Sequence, residues 1–199
     1  MLVSIIIPVY NQEELIKRAI DSIPFEQDIE VLVIDDGSTD NTYEVLQGYV
    51  DNPKIKIFHI DENKGVGTAR NIGLDNAQGT YIYMLDSDDY LITDNFVLVL
   101  KYLNGTDLVY YNYVENNEKT RWVKDENKIL RCGQVKFMRR DFIGDLRYEE
   151  GRRFSEDWFF NLQLQEKNPT EFFTYITVFH YNYPRHRSLS YLKHHPDEQ

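Results

Sequence analysis

VSIIIPV, Val3 to Val9, carries Ser4 as its one polar side chain and then meets Tyr10-Asn11. A short continuous apolar run of this kind reads as a strand buried on both faces, the habit of parallel sheets covered by crossover helices. Working outward, Glu30–Ile34 is a second such strand, closed by Asp35-Asp36-Gly37-Ser38. Lys54–Ile60 is a third and Tyr81–Leu85 a fourth. Helix signals fall between them. Asn11, with Glu14 three residues on, is a cap-like start ahead of Leu15, Ala19, Ile20 and Ile23 on one face. Asp40 can cap a helix running to about Tyr49, and Gly65–Ala77 reads as a helix stopped near Gly79. Strands separated by helices predict parallel pairing through right-handed crossovers.

Beyond Leu91 the pattern changes. A helix capped by Thr93 or Asp94 precedes a strand at Asp107–Val114, with which Lys119–Val123 could pair. Gln134–Ile143 and Glu156–Glu166 read as helices, and Phe172–Tyr183 as an aromatic strand. The expected class is α/β: a Rossmann-related, mixed and mainly parallel sheet flanked by helices. No repeat, low-complexity segment or Pro/Gly/Ser linker divides the chain, which predicts one domain over 1–199 with halves at 1–92 and 93–199.

A chain of 199 residues suits one buried core, and 42% hydrophobic with 14% aromatic residues excludes a disordered one. No apolar run approaches the length of a bilayer span, and no signal-like segment opens the sequence. The single cysteine, Cys132, cannot form an internal disulfide, so a reducing, cytoplasmic compartment is expected. Net charge is −11, but its distribution is uneven: residues 1–118 hold 7 basic and 21 acidic side chains, residues 119–153 hold 11 and 6. Such an acidic body excludes general nucleic-acid binding. The basic stretch around Lys136, Arg139, Arg140, Arg152 and Arg153 could meet an anionic partner or lipid headgroup, or be a solvated face.

In open parallel sheets ligands bind beyond the carboxyl ends of the strands. The polar clusters sit there: Tyr10-Asn11, Asp35-Asp36 and Asp86-Ser87-Asp88. In LDSDD, Asp86, Asp88 and Asp89 follow the apolar run YIYML. Carboxylates so spaced could share a hard divalent cation with phosphate oxygens, or simply form an acidic turn. An EF-hand is excluded, because Leu91 stands where that loop needs Gly and Val97 where it needs Glu. In VIDDGSTDNT, a carboxylate could accept an imide N–H or sugar hydroxyls; turning and capping explain Asp40 better. In RFSEDWFF, Glu156 and Asp157 could supply a general base, or could only favour a helix N-terminus. Gly65-Val66-Gly67-Thr68-Ala69-Arg70 lacks the third glycine of a dinucleotide fingerprint. Arg70 is left as a ligand-directed group or a helix-surface charge. His180, Arg185, His186 and Arg187 flank the last aromatic segment and could close over a diphosphate or decorate a loop.

In order, SIIIPVYN (Ser4–Asn11), VIDDGSTDNT (Val33–Thr42), ENKGVGTARNIGL (Glu62–Leu74), GTYIYMLDSDDYL (Gly79–Leu91) and FSEDWFF (Phe154–Phe160) resemble the family 2 inverting glycosyltransferases with the GT-A fold. A looser match lies in YNYPRHRSLS (Tyr181–Ser190). The resemblance implies a UDP-sugar or similar nucleotide-sugar donor, a glycan or lipid-linked acceptor, and Mn2+ or Mg2+ as cofactor. It implies a donor-binding half at 1–92 and an acceptor and base half at 93–199. Tyr10 would stack on the nucleobase and Asp36 hydrogen-bond it, with Arg70 nearby. Asp86 would contact the ribose, Asp88 hold the metal, and Asp157 act as catalytic base, with Arg185 and Arg187 on the diphosphate. Assembly of surface polysaccharide, peripherally at the inner membrane face, is the family's habit. The loop Asp145–Arg153 is expected to act as a mobile cover.

Two other classes compete. A sugar nucleotidyltransferase usually carries a Gly-rich basic loop after its first strand, where this chain has Pro8-Val9-Tyr10-Asn11. A catalytically silent nucleotide-sugar-binding subunit would have no chemical need for both Asp88 and Asp157.

Overall fold

The computed structural model describes residues 2–115, 119–121, 135–152 and 154–182. Its first half alternates β1 (Val3–Val9), α1 (Ile16–Asp21), β2 (Ile29–Asp35), α2 (Thr42–Gln47), β3 (Ile55–His59), α3 (Val66–Asn76) and β4 (Tyr81–Met84). There follow β5 (Tyr90–Leu91), α4 (Thr93–Leu100), β6 (Leu108–Glu115), β7 (Lys119–Arg121), β8 (Lys136–Arg139), α5 (Arg140–Ile143), α6 (Glu156–Glu166) and β9 (Glu171–Tyr181). One mixed sheet takes in all the described strands, in the order β3-β2-β1-β4-β8-β6-β9-β5, with β7 added to β6. The strands β3, β2, β1 and β4 are mutually parallel, Ile6 facing Leu32 on one side and Met84 on the other. Every residue of β1 and β2 is buried, as their unbroken apolar runs require. The carboxyl ends of these strands therefore share one edge of the sheet. α3 packs on β1 and β2 so closely that Gly73 has no room for a side chain against Ile6.

Beyond β4 the sheet continues through antiparallel β8, β6 and β9, the last two parallel to each other. Tyr83, Phe96, Tyr111 and Phe137 form an aromatic core where β4, α4, β6 and β8 meet, with ring centroids 4.8–5.6 Å apart. This cluster is the floor beneath the Asp86–Asp89 turn.

Several expectations are corrected. The helix expected over Gln134–Ile143 holds only in its second half: Lys136–Arg139 is a strand inserted between β4 and β6, and Arg140–Ile143 is helical. Val135, Lys136, Phe137 and Met138 are all buried. A segment covered on both faces by tertiary neighbours follows the sheet rather than its own helix propensity. Asn11 does not cap α1, which has no side-chain cap; Asn11 is left-handed at φ 51°, and its Oδ1 accepts the Thr39 N–H at 2.7 Å. Nor does Thr93 or Asp94 cap α4; Thr93 donates to the Ser22 carbonyl oxygen. The two-residue β5, too short for a sequence signal, pairs with β9 at Phe179 and His180. Val123, Gln134 and Tyr183 lie outside the described residues.

Candidate active site

Asp36 is the first acid at the common edge. It is buried, and its carboxylate accepts the backbone N–H groups of Lys64 and Gly65, both at 2.8 Å. A carboxylate just past β2 thus satisfies two donors immediately before α3, where the helix dipole favours an anion. Gly37 makes the approach possible, since it turns at φ 69° with the Glu62–Asn63 backbone directly over it. Asp35, pointing to the other face, accepts Ser38 N–H and pairs with His59 Nδ1 at 2.9 Å. Tyr10 stands half-exposed where β1 ends.

The turn after β4 presents three acids in three environments. Asp86 takes Arg70 Nη2 at 3.0 Å. Burial pushes its carboxyl above the usual range, Arg70 pulls it down, and the nearby charges of Glu156 and Asp157 push it up again. Asp89 is more deeply buried and well above the usual carboxylate range, first through burial and then through Asp88 and Asp86, while its Oδ1 accepts Asn182 N–H at 2.9 Å. Asp88, between them, is only partly covered. Its carbonyl oxygen is gripped by Arg18 Nη2 at 2.8 Å, and the Arg18 guanidinium lies 4.4 Å from the Tyr90 ring centroid. Tyr90 in turn stacks on His180 at 4.4 Å. Burial and the Arg18 charge both lower the His180 pKa.

Glu156 and Asp157 open α6, and the chain reaches them through Ser155 in the left-handed region at φ 62°. Arg70 joins this helix to the Asp86 turn: Nη1 donates to Glu156 at 2.7 Å while Nη2 holds Asp86. The arginine is buried, which excludes the helix-surface reading of its charge. Burial disfavours its cation, but Asp86, Tyr148 and Glu156 more than offset that, so it is more firmly protonated than usual. Tyr148 lies under the guanidinium at 5.3 Å and stacks on Phe160 of α6 at 4.1 Å. Asn71 clamps Tyr148 by both its backbone N–H and its carbonyl, at 2.8 and 2.9 Å. Within the loop expected to be a cover, Tyr148 is therefore a fixed part of the core; Arg153 lies outside the described residues. Asp157 accepts its neighbour's Trp158 N–H at 2.8 Å and stays partly exposed.

Asp86 of the turn after β4 and Glu156 of the motif that opens α6, some 70 positions apart in the chain, are thus bridged by the Arg70 side chain. Arg185 and Arg187 lie outside the described residues. Sequence reasoning missed Arg18, Tyr148 and the pairing of Arg70 with Glu156. The first two carry no motif. A cue for the third was present in Arg70 itself, which sits among Ala69, Gly73 and Leu74 on a helix face that must be buried.

Among the described residues no group of three or more His, Cys, Asp or Glu side chains is arranged to hold a metal ion. A hard divalent cation nevertheless fits Asp88, because such ions take one or two carboxylates when substrate phosphates complete the shell. Asp88 is partly covered on the turn that follows β4, where it could supply one such carboxylate.

The profile described as glycosyl transferase family 2 matches residues 4–175. The chain is 46% identical over 103 residues to the chondroitin synthase of Pasteurella multocida, covering 50% of this chain and 11% of that one. In fold it is similar to Staphylococcus aureus TarS 1–349 solved with UDP-GlcNAc (TM-score 0.84, 22% identity, 96% of this chain and 61% of that one). It is also similar to the mannosyltransferase PcManGT of Pyrobaculum calidifontis, solved with GDP-Man and Mn2+ (TM-score 0.73, 21% identity, 93% and 58%). Against three further curated relatives the chain spans 22% to 44% of their length.

Proposed function

The chain belongs to glycosyl transferase family 2, and from that premise we propose that it moves a sugar from a nucleoside-diphosphate donor, a UDP-sugar first among candidates, onto an acceptor hydroxyl with inversion. One observation carries the reading: the Asp86–Asp88 turn and the Glu156–Asp157 motif meet at the carboxyl edge of the sheet through Arg70. Tyr10 offers its half-exposed ring to the nucleobase. Asp36, each of whose oxygens keeps a lone pair beyond its loop amide, accepts a base N–H. Asp86, held by Arg70, accepts a ribose hydroxyl. Asp88 would hold Mn2+ or Mg2+ on the donor diphosphate, and the bound ion would neutralise charge on the departing nucleoside diphosphate.

Asp157 takes the acceptor proton as the oxygen attacks the anomeric carbon. A single in-line displacement inverts that centre. Arg185 and Arg187 follow β9 and are assigned to the diphosphate on sequence alone. Surface polysaccharide assembly is supported by the likeness to a chondroitin synthase, with a glycan or lipid-linked acceptor. Peripheral work at the inner face of a membrane is part of the same reading; no helix among the described residues is long and apolar enough to cross a bilayer.

Calorimetry with uridine diphosphate and manganese, followed by a donor-hydrolysis screen over nucleotide sugars, tests this reading. Metal-dependent binding with release of the nucleoside diphosphate is expected. Binding without turnover would point to a silent subunit, and pyrophosphate release from a nucleoside triphosphate to a nucleotidyltransferase.

A further inference from the structure

Arg70 touches both acidic motifs. Its two terminal nitrogens are divided between Asp86, two residues before Asp88, and Glu156, one residue before Asp157. Everything around it is fixed: the guanidinium is buried, Tyr148 lies beneath it, and Phe160 and Asn71 hold Tyr148 in turn. Ser155 adopts a backbone conformation that residues with a Cβ rarely take, and the chain emerges from it with Glu156 directed inward to Arg70.

A buried ion triad is a poor way to gain stability, because desolvation cancels much of the attraction. What it provides is geometry. A planar, two-pronged cation fixes the distance between two carboxylates, which a lysine, as a point charge, cannot do.

We propose that Arg70 and Glu156 are positioning residues: through the Asp86–Arg70–Glu156 bridge they set the separation between the cation-side acids and the base Asp157. This rests on the reading of Asp157 as base. It also gives Arg70 a task other than direct contact with the nucleobase. Neither residue handles the proton; each acts through the acid beside it.

A positioning role depends on reach, and a merely electrostatic one depends on charge. The variants Glu156→Asp, Glu156→Gln and Arg70→Lys separate the two. Glu156→Asp keeps the charge and shortens the arm; Glu156→Gln keeps the arm and an accepting oxygen but loses the charge; Arg70→Lys keeps the charge and cannot span both partners. Each is assayed for melting temperature, affinity for uridine diphosphate with manganese, and kcat and donor KM with the nucleotide sugar found in the screen. Displacing a reacting group by about 1 Å costs on the order of a hundredfold in rate. Glu156→Asp should therefore lose roughly ten- to a hundredfold in kcat, with nucleotide affinity and KM near wild type, and Arg70→Lys, which also loosens Asp86, should lose at least as much in kcat. Glu156→Gln should retain most of the rate.

The positioning role is overturned if Glu156→Gln is slower than Glu156→Asp, if the loss falls on KM and affinity, or if kcat does not move. A wild-type chain that neither binds nucleotide nor turns over any nucleotide sugar overturns the underlying reading instead, and the positioning role with it.

Discussion

Asp86, Asp88 and Asp89 stand almost side by side in sequence, yet their surroundings divide them. One is tied to an arginine, one is half-covered, and one is buried with its carboxyl pushed well above the usual range. Environment rather than residue type assigns their tasks. The same logic makes Gly37 a sensitive position. At φ 69°, an added Cβ would lie 2.7 Å from Asn63 N and 2.8 Å from the Glu62 carbonyl carbon. Gly37→Ala should cost more than about 1 kcal/mol in backbone strain alone. It should also loosen the hold of Asp36 on Lys64 and Gly65. Thermal melting should show a lower midpoint, and titration a weaker affinity for uridine diphosphate. An unchanged affinity at lower stability would detach Asp36 from nucleotide binding.

At the scale of elements, α3 is the spine of the molecule. Its inner face packs on β1 through Gly73, Asn71 clamps Tyr148, and Arg70 reaches both acidic motifs. Gly73→Ala would force a methyl group into Ile6. Overpacking of this kind costs about 1–3 kcal/mol, and denaturant melts should register it at an unchanged m-value. Since α3 carries Arg70, kcat should also fall by more than the folded fraction does; a rate that tracks stability alone would make α3 a passive scaffold.

The first four strands and the helices between them were legible in the sequence because local pattern and tertiary burial agree there. VSIIIPV is apolar throughout and is buried throughout. Legibility ends where they conflict. KFMR at 136–139 has no strand period to read, and becomes a strand because it pairs with β4 on one side and β6 on the other. Within the candidate site the acids were recognisable from their motifs. The bridge through Arg70 and Tyr148 was not, since it depends on contacts between residues about 80 positions apart.

For the molecule as a whole, the acidic balance makes stability depend on pH through a few well-partnered carboxylates. Glu30 is buried near the amino end of β2, where burial pushes its carboxyl up. Hydrogen bonds from Ser4 and the Gln78 amide, with Lys56 nearby, win and hold it below its ordinary value of 4.5. Asp107 is depressed likewise, burial again outweighed by Thr170 and Arg139. A lowered folded-state pKa gives stability that is present above the ordinary carboxylate range and lost as pH falls through the folded value. The melting temperature should therefore drop on acidification below about pH 4.5. Glu30→Gln, expected to cost on the order of 1 kcal/mol at pH 7, should differ less from wild type at pH 3.

For the whole molecule, the proposed chemistry requires Asp88 and Asp157, distant in the chain, to take separate tasks at one site. Titrating uridine diphosphate and manganese into Asp88→Ala and Asp157→Asn side by side, with transfer assayed on the same samples, tests it most directly. Asp88→Ala should abolish the manganese-dependent part of the affinity. Asp157→Asn should bind nucleotide and metal as wild type does, while transfer falls by about 10²–10⁴. Equal loss of donor affinity in the two variants would contradict the account.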